Sequence, residues 1–252
     1  MITSTSNERV KLARALLTEA KTRRKSSLLA LEGVRLINDA LSAGAVPEFI
    51  FYNPEQIQPD VLHGSPNEWG ELIQVNAQVI RHISSTEHPQ GIVGIFPTPS
   101  LRLPEHPRRV LVLDGLRDPG NVGTILRTAA AAGVEVVLFS PGCVDIGNDK
   151  VLRGAMGAHF RLALRDWPWS QIAGFCGETT VYLADMTGNV AYDTADWDAP
   201  WTLIVGSEAE GASPEAEQLA AHTIYIPMAP GAESLNAAMA AGILLFEAAK
   251  RR

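Results

Sequence analysis

Three stretches of the chain set polar side chains beside glycine or proline where an apolar run gives way to a helical pattern. In LDGLRDPGNVGTILRTA, residues 113–129, Asn121 and Arg127 stand six residues apart. On a helix that is nearly two turns, which leaves both roughly on one side. An arginine near the open end of a helix can hold a phosphate through two parallel hydrogen bonds. In LIVGSEAEGAS, residues 203–213, an apolar run stops at Gly206 and Glu208 follows. Glycine after a strand lets a ligand lie against bare backbone, and Glu208 faces the resulting crevice. In IYIPMAPGAESLN, residues 224–236, Pro227 ends a strand, a Gly/Pro loop follows, and Ser234 and Asn236 precede a small-residue helix. Plain structural roles compete at each place: a solvent-facing Glu208, a capping Ser234, and an Asn236 on the surface of the second turn.

The elements that must carry these residues alternate. Residues 7–24 have helical spacing, followed by a second helix over 33–43 and a short strand at 49–52 closed by Asn53-Pro54. Weaker signals give a strand at 72–75, a helix at 77–83 and a strand at 91–96. Residues 97–108 hold four prolines and read as a linker. Beyond it the pattern predicts strands at 110–113, 134–139, 180–184, 202–205 and 223–226. Helices are expected at 122–132, 150–155, 214–220 and 235–249. Continuous apolar strands alternating with helices imply a mostly parallel sheet covered on both faces. Ligands of such sheets collect at the carboxyl ends of the strands, where all three polar stretches fall. The domain reading is 1–98, a linker at 99–108, and 109–252.

The formal net charge of -7 argues against a polyanion partner, but its distribution does not. Residues 1–25 carry seven Lys and Arg against two acids. Arg9, Lys11, Arg14, Arg23, Arg24 and Lys25 therefore form a candidate phosphate-binding patch, with a solvated helix face as the alternative. Cys143 and Cys176 are the only cysteines and lie far apart, with no CxxC and no nearby histidines. That argues against a disulfide framework or a zinc site and fits a reducing cytoplasm. No apolar run approaches the length of a membrane span. A dinucleotide-binding dehydrogenase is disfavoured, because GxGxxG spacing is absent and no acidic residue ends the strand at Phe139.

Taken in order, N-x-G-x-x-x-R-T-A at 121–129, G-S-E-x-x-G at 206–211, and I-P-M followed by E-S-L-N at 226–236 resemble the three motifs of the SpoU (TrmH) class of RNA ribose methyltransferases. The opening, NERVKLARALL and then LLALEGVRLINDAL, is similar to class members with an N-terminal RNA-binding domain of small α/β fold. The sequence departs from the usual pattern at Ser207, Ala209 and Pro230, all in the loops and none at the polar residues.

The resemblance implies an α/β fold: a C-terminal SPOUT domain with a mostly parallel sheet and a deep trefoil knot, plus a small N-terminal α/β domain. It implies S-adenosylmethionine bound bent in the knot by Gly206, Ile226, Met228 and Leu235, with Ala184 and Asp185 as further candidates. It implies catalytic roles for Asn121, Arg127, Glu208, Ser234 and Asn236, no metal, and a homodimer formed through the C-terminal domain. The implied reaction is 2′-O-methylation of a ribose in structured RNA. Large-subunit ribosomal RNA is the preferred substrate and transfer RNA the alternative, while a catalytically silent RNA-binding assembly factor remains a third reading.

Overall fold

The computed structural model describes residues 1–207, 210–231 and 234–250. They fall into two compact units, Met1–Pro99 with Asp145–Phe160, and Ser100–Val144 with Arg161–Arg252.

The first unit is built from α1 (Glu8–Thr18), α2 (Ala20–Ser26), β1 (Leu28–Glu32), α3 (Val34–Ser42), β2 (Phe49–Tyr52), β3 (Glu71–Gln74), α4 (Ala77–Ile83) and β4 (Ile92–Pro97). The sheet order is β1-β4-β2-β3, antiparallel except for the β2/β3 pair. β2 shows how the pleat sorts side chains. Phe49 and Phe51 join the core under α1 and α4, while Ile50 and Tyr52 join the core under α3. Both faces are covered, so the strand reads as an unbroken apolar run.

The expected helix over 7–24 is two helices. Glu19 is extended (φ -123°, ψ 112°), and the chain restarts as α2. No Gly or Pro marks the break. It is held instead by Arg23, whose Nη1 donates to the Leu16 carbonyl at 2.6 Å, satisfying an oxygen that the end of α1 leaves open. β1 was absent from the sequence expectation. It is short, and it runs straight into Gly33 at φ 96°, a conformation suited to glycine.

The second unit begins with β5 (Arg109–Leu113), α5 (Pro119–Ala132) and β6 (Val136–Phe139). The chain then crosses into the first unit as α6 (Asp149–Ala155) and a 3-10 turn at Ala158–Phe160. It returns as β7 (Ala163–Asp166), α7 (Trp169–Phe175), β8 (Thr180–Ala184), β9 (Val190–Ala191), β10 (Trp201–Val205), α8 (Pro214–Leu219), β11 (His222–Tyr225) and α9 (Ala237–Ala249). The sheet order is β7-β6-β5-β10-β8-β11-β9, with parallel pairing between each strand and its neighbours. β10 is central and buried at every position, as its WTLIV sequence requires. α5 and α9 pack along one another. β7, α7 and β9 were not expected. The two edge strands are short and only partly buried, and α7 is a seven-residue helix.

The excursion of residues 145–160 is fixed by chemistry in the first unit. Leu152 enters the α3-side core, and Phe160 packs edge-on to Phe96 at 6.3 Å. Ser85 Oγ donates to Asp149 at 2.6 Å, and the Arg23 guanidinium pairs with Asp145 at 2.6 Å. His159 is 3% exposed, and its Nε2 donates to the Ile146 carbonyl at 2.8 Å. That fixes the neutral tautomer with Nδ1 as a buried acceptor, and Nδ1 has no partner among the described residues.

Burial pushes the His159 imidazole down to about 4. The proton therefore binds the unfolded chain more tightly than the folded one. Stability is full above the ordinary histidine value and falls as the pH drops from about 6.5 to about 4, by roughly 3 kcal/mol for this one group. Urea unfolding across that range should show the decline, and His159→Gln should flatten it. Equal pH slopes in the two proteins would contradict the assignment.

Candidate active site

Four strand ends of the second unit converge on the three polar stretches. α5 starts at Pro119, earlier than expected, because the Asp118 side chain caps it by accepting from the Asn121 amide at 2.8 Å. Asn121 therefore sits in the first turn, and Arg127 follows on the same helix, exposed to solvent. At about 1.5 Å per residue the two are roughly 9 Å apart along the axis. No hydrogen bond or ion pair engages the Arg127 guanidinium among the described residues.

At the C-terminal end the assignment of caps is reversed from the expectation. Asn236, not Ser234, caps α9: its Oδ1 accepts from Ala238 N at 3.0 Å and from Met239 N at 3.3 Å. Asn236 is therefore not a second-turn surface residue. Its other end, Nδ2, donates to Asn121 Oδ1 at 3.0 Å. The first and third polar stretches thus meet through one side-chain pair. Ser234 precedes the cap in the loop and is exposed.

In the middle stretch Ser207 and Gly211 pair through their backbones. Ser207 N donates to Gly211 O at 3.0 Å, and Gly211 N returns a bond to Ser207 O at 2.9 Å. Gly211 adopts φ 74°, and a Cβ on Gly206 would lie 2.8 Å from the Gly211 carbonyl oxygen. The close backbone leaves no room for a side chain at Gly206, and the left-handed conformation at Gly211 favours glycine. Arg117, from the loop before α5, forks onto Glu210 with contacts of 3.0 and 3.2 Å. Glu208, expected to act here, lies outside the described residues.

These loops enclose a cavity of about 260 Å³. All six residues expected to hold a cofactor line it: Ala184 at the end of β8 and Asp185 just after it, Gly206 after β10, Ile226 and Met228 after β11, and Leu235 before α9. Ser234 lines it as well, whereas Asn121, Arg127 and Asn236 do not. Sequence reasoning missed Ala237, Ala240 and Leu244, which line the cavity from one face of α9. Their i, i+3, i+7 spacing was a usable signal. The walls are chiefly apolar, and Asp185 is the only ionisable group among the described lining residues. Its Oδ1 accepts from Thr187 N at 2.6 Å and from Thr187 Oγ1 at 2.7 Å, which fixes the carboxylate at the rim. The site suits a nucleoside-sized, mainly apolar ligand bearing positive charge. No group of three or more metal-ligating side chains occurs among the described residues.

The basic run of the first unit divides. Arg23 is 6% exposed and is consumed by Asp145 and the Leu16 carbonyl, so it does not stand on the surface as expected. Arg14 donates to the Ser84 carbonyl at 2.8 Å, at the end of α4. Arg9 pairs with Glu71 at 2.7 Å and lies over the Phe49 ring, and Lys11 pairs with Glu8 at 2.7 Å. Arg24 and Lys25 are exposed on α2, and so is Lys21, which the sequence reading left out of the patch.

Two family models match the chain. The model described as "SpoU rRNA Methylase family" matches residues 108–246, and the "MRM3-like substrate binding domain" matches residues 7–94. The chain is 37% identical to "rRNA methyltransferase 3, mitochondrial" of Homo sapiens, over 89% of this chain and 68% of that one. It is 32% identical to "23S rRNA (guanosine(2553)-2'-O)-methyltransferase RlmP" of Bacillus subtilis, over 97% of each chain. The solved structure of an AdoMet-bound rRNA methyltransferase from Sinorhizobium meliloti is 32% identical and covers 99% of this chain and 97% of its own, with a TM-score of 0.86. With a family model spanning more than half its length and near full-length relatives behind it, the chain belongs to the SpoU rRNA methylase family.

Proposed function

We propose that this protein methylates the 2′-hydroxyl of a ribose in large-subunit ribosomal RNA, with S-adenosylmethionine seated in the cavity at the ends of β8, β10 and β11. One observation carries the reading. The apolar cavity runs up to Leu235, and the next residue, Asn236, is bonded to Asn121 on the helix that bears Arg127. When bound, S-adenosylmethionine supplies a methyl group on a positively charged sulfur, and that sulfur departs as a neutral thioether.

The chain's own residues do the rest. Ile226, Met228 and Leu235 keep water from the donor, and bare backbone at Gly206 allows close approach. The Asp185 carboxylate favours a cationic occupant. Holding oxygen, carbon and sulfur in line contributes several kcal/mol of the rate enhancement. Arg127 engages the phosphate next to the target ribose and stabilises the 2′-oxygen as its proton passes to solvent water. An arginine stays charged at physiological pH, so positioning and charge are its role here in preference to that of general base. Ser234 and Asn236 orient the ribose and Arg127, while Asn121 and Glu208 hold the loops.

Arg127 is outside the cavity of its own chain, so the reading includes a second copy that completes the site. α9 offers a surface for it: Met239 and Phe246, seven residues apart on one helical face, are 60% and 52% exposed. The knotted chain end implied by the resemblance belongs to the same reading. It is supported by the crossing order of the sheet, in which β8 lies between β10 and β11. The first unit meets RNA through exposed cations such as Lys21, Arg24 and Lys25, where phosphate and shape contacts dominate. The two cysteines are free thiols, in keeping with work on ribosomal RNA in the cytoplasm.

Purified protein given methyl-labelled S-adenosylmethionine and RNA from cells lacking the gene should label large-subunit ribosomal RNA at a ribose 2′-oxygen. Label in transfer RNA alone, or none, would overturn the reading. Arg127→Ala should lower methyl transfer by roughly 100-fold or more while donor affinity by calorimetry is retained. Turnover close to wild type would refute the role given to Arg127. Phe246→Asp should shift sedimentation from dimer to monomer and abolish transfer, and a dimeric, active variant would remove the second copy from the account.

A further inference from the structure

The hydrogen bonds at the end of β5 single out a residue outside the cavity. Asp114 follows β5 directly and is 3% exposed. Its amide donates to the Val205 carbonyl at 2.9 Å, the last residue of β10. Its Oδ2 accepts from the Ser213 amide at 2.7 Å, and its Oδ1 accepts from Ser140 Oγ at 2.8 Å. Ser140 Oγ in turn accepts from the Gly115 amide at 3.1 Å.

Val205 and Ser213 bracket the loop that contributes Gly206, Ser207, Gly211 and Ala212 to the cavity wall. Asp114 therefore grips both ends of that loop: its backbone holds the entrance and its carboxylate the exit. Among the described residues no cation pairs with this buried carboxylate, and the donors it has there are neutral. Burying a polar group is costly unless it is hydrogen-bonded, and apolar packing would be cheaper if stability were its only use. The other tie between the same loops, Arg117 with Glu210, has side chains 68% and 63% exposed and is screened by water. The exposed fork cannot replace the buried grip.

We infer that Asp114 is a positioning residue for the methyl donor: through Ser213 it sets the span of the Gly206–Ala212 loop and thereby the width of the donor cavity. The inference rests on the proposal that S-adenosylmethionine occupies that cavity. It predicts a split between two neighbouring losses. Asp114→Ala frees the loop exit, whereas Ser140→Ala removes a donor to the same carboxylate and leaves the exit bond in place. Asp114→Asn can still accept from Ser213 N through its oxygen and donate its amide to Ser140 Oγ.

The test is S-adenosylmethionine affinity by calorimetry on full-length protein, with urea unfolding run beside it. Asp114→Ala should weaken donor binding roughly tenfold or more. Ser140→Ala should bind nearly as wild type despite lower stability, and Asp114→Asn should restore most of the affinity. Gly206→Ala, whose added Cβ meets backbone, tests the cavity itself and should lose binding. If Gly206→Ala binds normally, the cavity proposal fails. If Gly206→Ala loses binding while Asp114→Ala, Asp114→Asn and Ser140→Ala all match one another, the role of Asp114 is overturned. Should Asp114→Ala not fold, weak binding by folded Asp114→Asn overturns it equally.

Discussion

An amide-to-amide hydrogen bond, from Asn236 Nδ2 to Asn121 Oδ1, joins the two helices on which the proposed reaction depends. Asn236 spends its oxygen on the first turn of α9 and its nitrogen on α5. An aspartate or serine at 236 would cap the helix equally well, but neither would present that amide donor to Asn121. The cap therefore fixes more than a helix end. It sets where Ser234 and Leu235 leave the cavity loop relative to the helix that carries Arg127.

The parallel sheet explains why this meeting takes place at one spot. β5, β10, β8 and β11 stand side by side in that order, and parallel pairing places all their carboxyl ends on one side. Asp114, Asp185, Gly206 and Ile226 each follow one of those ends. β10 buries completely and β5 and β8 nearly so, which leaves polar side chains chiefly to the loops just beyond them. The glycines among those loops are set by distance: at Gly206 the neighbouring backbone comes too close for any side chain. Sheet topology gathers the loops, backbone contact narrows them, and two buried or half-buried polar residues, Asp114 and Asn121, hold them in register.

Much of this was legible in the residues. Strands such as Phe49–Tyr52 and Thr180–Ala184 are apolar, β-rich and closed by breakers, and they fall where the pattern placed them. The six residues expected to hold a cofactor all face one cavity, because each stands where a strand or helix pattern runs into a Gly/Pro loop. The departures have physical causes. Glu19 breaks the first helix without a breaker residue, since the stabilising group is Arg23, seven residues beyond Leu16. Arg23 reads as surface charge until Asp145, 122 residues away, is seen to bury it. Ser234 is as good a capping residue as Asn236, and only the bond to Asn121 distinguishes them. The path of residues 145–160 into the first unit depends on Leu152, Asp149 and Phe160 finding distant partners, which local periodicity does not record.

The central claim is that α5 and α9 act as one catalytic frame through the Asn121–Asn236 pair. A double-mutant cycle on methyl transfer, with Asn121→Ala, Asn236→Asp and the pair combined, tests it most directly. The account predicts that each single change lowers transfer sharply while α9 stays folded, and that the double variant is no worse than the poorer single. Losses that simply multiply, or singles that turn over like the parent, would contradict it.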